Sequence, residues 1–596
     1  MIHNNFKLTL IWFFGSCIGF YFASMHLEAA ISGDSIAPFG PDSFYHAKRI
    51  LNLLETGELI QFDPLVNSPH GAYVPWPWAY DSLIAIITYV ASIVFLNTSF
   101  LEIIVRLPPF IIFLNGALVV VLCKVLRLPP IFALMAMLCF SLSPLTQDLH
   151  FIGRIDHHMI EFSFVIGSLI LGVLYFNNNY SKKTAIAYGV LLGLVPAFHN
   201  GLFILQLPLL LTLFLLWVLR IKLNGSLIHF CFSLLSTTFL FLLFSEPFRE
   251  GYFNFHYHSW FHLYIALCVS FMTTCFYLVK FNKVNLTIMI IVSLLLAFPV
   301  VSDLTGGFQF VSTGNSIYSS IQEFARPISW KHSDNLIPKV RLHFYTGLLL
   351  VLPITISIFI FWGVSQKKPH IYFFVISSVF GVVLLLAQYR LNYFGSFSLY
   401  MPLLLICNDL SEKYKNRRNI IIGYLILVIF AFYYPVKNVL LRERALSGSY
   451  GYELSYKVLN ELGESCKHEP GTVLATWDDG HYITFHTSCS VIASNFIITP
   501  LDFDRVKFST KMLSSRPEDI LQTKLIDYVF VRRRDDFWNY KTADDVKKIN
   551  DLLVSELLFS NYYPENYKLI AKADYSYDNG EMQPYAKVFK IKRKHE

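Results

Sequence analysis

Up to about residue 440 the chain alternates long apolar runs with short polar loops. Runs long enough to span a bilayer, or nearly so, fall at about 8–24, 105–123, 129–146, 161–176, 184–198, 201–220, 228–244, 259–280, 284–302, 343–363, 370–387, 391–407 and 418–436. This pattern predicts a polytopic α-helical membrane protein with about 13 transmembrane helices. The first run follows Lys7 and has no small-residue cleavage signal after it, so it reads as an uncleaved span. A further run at about 82–97 follows Pro75-Trp76-Pro77-Trp78, and tryptophan favours the membrane interface.

Charge sets the expected topology. Lys182-Lys183, Arg220 with Lys222, Lys280 with Lys283, Lys367-Lys368 and the run Lys413 to Arg418 all lie between apolar runs. Basic short loops favour the cytoplasm. With thirteen crossings, and 82–97 lying in the interface, all five share a side with Lys7. The N-terminus is then cytoplasmic and the C-terminus extracytoplasmic. The loops at about 25–104, 147–160 and 303–342 face outward with the C-terminal region.

From about Tyr450 acidic and basic residues alternate. Strand-like stretches such as Gly471 to Ala475 and Ile526 to Val531 appear between helical ones. This predicts a membrane domain over about 1–440 and a soluble α/β domain over about 441–596, the latter large enough for its own core.

Composition agrees: 54% of residues are hydrophobic and only 15% charged, against roughly a quarter charged in soluble domains. The net charge of +7 comes with no basic tract interleaved with aromatics, which argues against a nucleic-acid groove. The nine cysteines show no CxxC pair or metal spacing. Seven lie in or beside apolar runs, as small core residues do. Cys466 and Cys489 lie in the polar tail and could pair there if it is extracytoplasmic.

Four residues in the outward loops carry candidate chemistry. Asp42 lies in Gly40-Pro41-Asp42-Ser43-Phe44-Tyr45-His46-Ala47-Lys48-Arg49. Asp156 and His158 lie in Gly153-Arg154-Ile155-Asp156-His157-His158. Glu323 lies in Ser319-Ser320-Ile321-Gln322-Glu323. Carboxylates with one imidazole suit Mn²⁺ or Mg²⁺, and also Zn²⁺. The plain alternative is that loop acids are simply solvated. Arg390, at the outward junction of two apolar runs, suits a phosphate contact, or else it snorkels to headgroups. Trp477-Asp478, within Thr476-Trp477-Asp478-Asp479-Gly480-His481, offers an indole donor beside a carboxylate. A buried Trp with an Asp in a turn would look the same.

Taken together, these motifs resemble the catalytic subunit of oligosaccharyltransferase, single-subunit bacterial and archaeal type, over nearly the whole chain. The hallmark of that family is Trp-Trp-Asp-Tyr-Gly early in the C-terminal domain. Here the matching stretch is Thr476-Trp477-Asp478-Asp479-Gly480, with Thr476 and Asp479 as departures. Asp42 with Tyr45, His46 and Arg49 is similar to the family's first acidic motif, and Asp156-His157-His158 to its second. Ser320-Ile321-Gln322-Glu323 is similar to its external glutamate motif, and Arg390 to its lipid-phosphate arginine. Asp504-Arg505-Val506-Lys507 fits its Asp-x-x-Lys helix loosely.

The resemblance implies a GT-C fold and transfer of an oligosaccharide from a polyprenyl (pyro)phosphate lipid to Asn of Asn-X-Ser/Thr. It implies Mn²⁺ or Mg²⁺ on Asp42, Asp156, His158 and Glu323, catalytic roles for Asp42, Asp156 and Glu323, and an acceptor site on Trp477, Asp478, Asp504 and Lys507. A different GT-C glycosyltransferase would share the external acids without needing the Trp-Asp pocket. A transporter would instead carry acids or broken helices near the bilayer midplane.

Overall fold

The computed structural model describes the chain except Met1, 26, 33–34, 178–179, 313–327, 330–338, 341–347, most of 415–443, 534–552, 577–581 and 594–596. Among the described residues, seven helices are long and apolar enough to cross a membrane: Asn5–Ala23, Phe100–Val125, His158–Asn177, Asn200–Val218, Trp260–Leu278, Lys283–Leu304 and Pro369–Ala387. Shorter apolar helices form at Trp78–Val94, Pro130–Leu142, Ser226–Leu242 and Ile354–Gln366. The run expected at 418–436 lies mostly outside the described residues.

Several runs are interrupted where sequence periodicity alone shows continuity. The run at 129–146 stops at Leu142 and restarts at Pro144, which cannot donate into a continuing helix. The run at 391–407 is a series of short turns before the helix Met401–Lys413. There the backbone of Gly395 packs directly on Gly381, which leaves no room for a side chain at either position. The run at 284–302 goes the other way, its helix continuing to Ser312.

Four helices organise the site: α1 (Pro41–Thr56), α2 (Trp78–Val94), α3 (His158–Asn177) and α4 (Gly480–His486). Helix α2 covers the run expected to lie in the interface. It turns Ile86, Tyr89, Val90 and Ile93 outward while burying Tyr80, Asp81, Ile84 and Thr88.

The C-terminal region forms a five-stranded mixed sheet of β1 (Thr472–Leu474), β2 (Ser490–Val491), β3 (Tyr528–Arg532), β4 (Tyr567–Ser576) and β5 (Met582–Ile591), in the order β4-β5-β3-β1-β2. Strand β1 runs parallel to β2 and β3, whereas β5 runs antiparallel to β3 and β4. Successive side chains point to opposite faces. Val473, Tyr528, Phe530 and Val588 therefore enter one core, and Leu474, Val529, Val531 and Phe589 another. The first core also contains Tyr45 from α1 and Val66, Val74 and Trp76 from the loop before α2, so helix, loop and sheet bury apolar surface against each other. Backbone bonds reinforce this: Ser68 N–H donates to the Val491 carbonyl at 2.9 Å, and Val491 N–H to the Leu65 carbonyl at 2.7 Å. Cys466 and Cys489 form a disulfide with Cα atoms 5.5 Å apart.

Candidate functional site

Helix α1 begins at Pro41, whose fixed φ and missing N–H suit a first helical turn. Asp42 follows in that turn. Asp42 and His46 are one turn apart and reach in two directions. The Asp42 Oδ1 lies 3.6 Å from His481 Nδ1, on α4 of the C-terminal region. The His46 Nε2 lies 3.1 Å from His157 Nδ1, in the loop before α3. Between them Tyr45 packs on His481 at 4.6 Å and Trp76 at 5.7 Å.

His46 is held from behind. Its Nδ1 lies 2.6 Å from Asp81 Oδ1, and Asp81 forms a fully buried ion pair with Arg49. The carboxylate fixes the ring so that Nε2 faces His157. Arg49 also donates to the Ile60 carbonyl at 3.0 Å. Two charges can stay buried here because each is paired and hydrogen-bonded.

Around Asp156 the donors converge. Its carboxylate lies 3.0 Å from His157 Nδ1 and 3.6 Å from His158 Nε2. Burial alone raises the Asp156 carboxyl, but the neighbouring His158, His157 and Arg154 outweigh it and hold the group well below the usual carboxylate range. Burial pushes the His157 imidazole well below its usual value. His158 Nδ1 lies 2.7 Å from Glu161 Oε2, which directs its Nε2 toward Asp156. Arg390, in a turn at Tyr389–Leu391, is near enough for its charge to act on both His158 and Tyr393.

These residues suit a divalent cation. Asp156 Oδ1 is buried without a hydrogen bond, although imidazole nitrogens surround it. A carboxylate and an imidazole held by a second carboxylate are the donor types such ions take. Asp156 and His158 are brought together as the sequence predicts. Among the described residues, the two groups of three donors lying within 4.8 Å are His46, Asp156, His157 and His157, Glu161, His199, and of the expected ligands neither Asp42 nor His158 is in either. Glu323 lies outside the described residues.

The Trp477-Asp478 stretch sits at the end of β1. Thr476 Oγ1 donates to Asp479 Oδ2 at 2.6 Å, and Arg532 Nε donates to Asp479 Oδ1 at 2.5 Å. The two residues that depart from the family motif therefore bond to each other across Trp477 and Asp478. Asn495 donates to Asp478 at 3.3 Å. Gly480 needs its missing side chain: a Cβ there would meet the Ala493 carbonyl and lie 2.8 Å from Ser494 Cα. Trp477 packs with Ala493, Ile497, Phe503 and Val506. The helix Pro500–Leu513 thus lines the Trp477 pocket through Phe503 and Val506, while Asp504 and Lys507 are on its exposed face.

Sequence reading missed His46 as a bridge, named His481 only as the end of the Trp-Asp stretch and not as the partner of Asp42, and missed Asp81, Glu161 and His199 altogether. Two of these had a local signal. His46 follows Asp42 by four residues, and Glu161 follows His158 by three at a helix start, both spacings that share a helix face. Asp81 and His199 reach the site only through tertiary packing.

No family model matches the chain, and no curated protein matches it. Solved structures do. The archaeal oligosaccharyltransferase AglB from Archaeoglobus fulgidus, in complex with an inhibitory peptide and a dolichol-phosphate, superimposes with a TM-score of 0.69 at 15% identity. The match covers 97% of this chain and 74% of that one. The same enzyme tethered to an acceptor peptide containing an NVT sequon gives 0.68 at 15% identity, with the same coverage. Its complex with Zn and sulfate gives 0.66 at 16% identity, covering 96% and 73%. The chain therefore has the fold of the archaeal oligosaccharyltransferase structures, with helices apolar and long enough to cross a membrane.

Proposed function

We propose that this protein is an oligosaccharyltransferase, moving an oligosaccharide en bloc from a polyprenyl (pyro)phosphate lipid to the side-chain amide of Asn in Asn-X-Ser/Thr. The observation that carries this reading is the seating of α4 on α1. There His481, three residues after Asp478, comes within 3.6 Å of Asp42, and His46, one turn further along α1, reaches His157 beside Asp156. The fold it shares with structures holding a dolichol-phosphate and an NVT peptide supports the same reading.

An amide nitrogen is a weak nucleophile because its lone pair is delocalised into the carbonyl. In this proposal Asp42 and Glu323 accept hydrogen bonds from the acceptor amide and help localise that lone pair. Asp156 and His158, with Asp42 and Glu323, hold the divalent cation, Mn²⁺ or Mg²⁺. When bound it neutralises charge on the leaving phosphate. Arg390 adds a bidentate phosphate contact. Trp477 and Asp478, with Asp504 and Lys507 nearby, bind the acceptor's hydroxyl residue, and a peptide lacking the hydroxyl leaves those polar groups unpaired.

The proposed topology has a cytoplasmic N-terminus, an extracytoplasmic domain over about 441–596 and a single subunit. The Cys466–Cys489 disulfide supports it, because such bonds persist in oxidising compartments. The deciding assay offers membranes a labelled Asn-X-Thr peptide or its Asn-X-Ala counterpart, with lipid donor, with and without EDTA. Only the Thr peptide should be modified, and only without chelator. Equal modification of both, or none with Mn²⁺ and a suitable donor, overturns the reading.

A further inference from the structure

We propose that His157, Glu161 and His199 form a second divalent-cation site, of the kind that takes Zn²⁺, beside the Asp156–His158 site and sharing no ligand with it. The inference concerns metal binding alone and does not depend on which reaction the protein performs.

The three residues come from different parts of the fold. His157 ends the loop before α3, Glu161 is one helical turn further on, and His199 lies between the helix Lys182–Leu194 and the turn Asn200–Leu205. Their donor atoms lie within 4.8 Å of one another. Glu161 Oε1 is 3.6 Å from His157 Nε2 and 2.7 Å from His199 Nδ1. Ligand atoms of a tetrahedral zinc with bonds of ~2.0–2.1 Å stand roughly 3.3 Å apart, so these spacings bracket that value.

All three atoms are buried and none has a hydrogen-bond partner, although they converge. Glu161 Oε1 and His199 Nδ1 are close without being aligned as donor and acceptor. His157 and Glu161 are 2% and 1% exposed, so bulk water does not reach them. Leaving such atoms unpaired costs about 1–3 kcal/mol each. A cation at their meeting point accounts for all three at once.

The opposite atom of two of the ligands is already held. Glu161 Oε2 lies 2.7 Å from His158 Nδ1, and His157 Nδ1 lies 3.1 Å from His46 Nε2 and 3.0 Å from Asp156. Outer partners of this kind orient metal ligands. Glu161 thus turns Oε1 toward this site while its Oε2 orients His158 of the other. Two imidazoles with one carboxylate are a zinc donor set, whereas carboxylate-rich sites suit Mn²⁺ or Mg²⁺.

Full-length protein in detergent would be stripped with chelator and dialysed against limiting Zn²⁺ with excess Mn²⁺. Bound metal is then counted by mass spectrometry. Wild type should retain about one Zn²⁺ per chain in addition to Mn²⁺. His199→Gln should bind Zn²⁺ at least ~10-fold more weakly yet keep its Mn²⁺. Asp42→Ala should keep the Zn²⁺. Loss of zinc in Asp42→Ala with retention in His199→Gln would assign the ion to the other site and overturn the proposal. Absence of bound Zn²⁺ in wild type would overturn it as well. A second measurement needs no variant: Co²⁺ loaded in place of Zn²⁺ should show the intense visible bands of a tetrahedral site, and only weak octahedral bands would refute the assignment.

Discussion

Replacing Arg532 with Met leaves the Asp479 carboxylate buried with only the Thr476 hydroxyl for company. The guanidinium now donates to it at 2.5 Å, with the two side chains 15% and 2% exposed. Breaking such a pair from one side costs about 3–5 kcal/mol, because the remaining charge stays out of water. Asp479→Asn is milder. It keeps the bond from Thr476, and Arg532 can still reach solvent on one side, so the loss is that of one charge-assisted hydrogen bond, about 1.5–3 kcal/mol. The double variant Asp479→Asn with Arg532→Met buries no charge. Its loss should fall well below the sum of the single losses, giving a coupling of about 2 kcal/mol or more. For a folding unit of this size 1 kcal/mol moves the melting temperature by about 2–4 °C, so Arg532→Met should lower it by on the order of 10 °C. Thermal melts in detergent give the four corners of the cycle. Acceptor-peptide affinity, measured alongside, should weaken in the same order, since Thr476 and Asp479 clasp Trp477 and Asp478 between them. A melt of Arg532→Met within 2 °C of wild type, or a double variant equal to the sum of its parts, refutes the reasoning.

Other expectations follow from the same geometry. Asp478→Ala should raise the peptide Kd with little change in single-turnover rate at saturation, whereas Asp42→Ala should abolish turnover and leave peptide binding intact; the reverse pattern would exchange their roles. Asp63 accepts from Lys48 and Tyr45 at 2.7 Å each, and although burial raises its carboxyl, Lys48, the Leu65 N–H and Tyr45 together lower it. A depressed folded value means that the stabilisation is present above the unfolded pKa of about 3.9 and is lost as pH falls through the folded value. The gap in melting temperature between wild type and Asp63→Asn should therefore be open at neutral pH and close in acid, and a gap constant with pH would exclude this cause. Reducing the Cys466–Cys489 bond frees a loop of 23 residues and should cost about 3 kcal/mol. Reductant should lower the melting temperature of wild type and leave a Cys466→Ser/Cys489→Ser variant unmoved.

The apolar runs, the change in character near Tyr450 and the acidic loop motifs are all readable along the chain, because they rest on local properties. A membrane span announces itself through twenty consecutive apolar residues, and a strand such as Tyr528–Arg532 through its β-branched and aromatic content. The two substitutions in the Trp-Asp stretch read separately as departures from a motif. The fold shows Thr476 bonded to Asp479, and Asp479 in turn to Arg532, a partner that only sheet pairing brings to the end of β1.

What the sequence determined alone was the class of protein, the candidate residues Asp42, Asp156, His158, Trp477 and Asp478, and the side of the membrane they should share. What the tertiary structure decided is which of them meet. Side-chain contacts across 111 residues, as between His46 and His157, or across the far longer separation of Asp42 and His481, depend on how helices cross and how the sheet docks on the loop before α2. Those are sums over many packing contacts, and no local pattern encodes them. Asp81, His199 and Arg532 carry no motif of their own, and they acquire their place in the site only because burial leaves their charges and ring nitrogens nowhere else to bond.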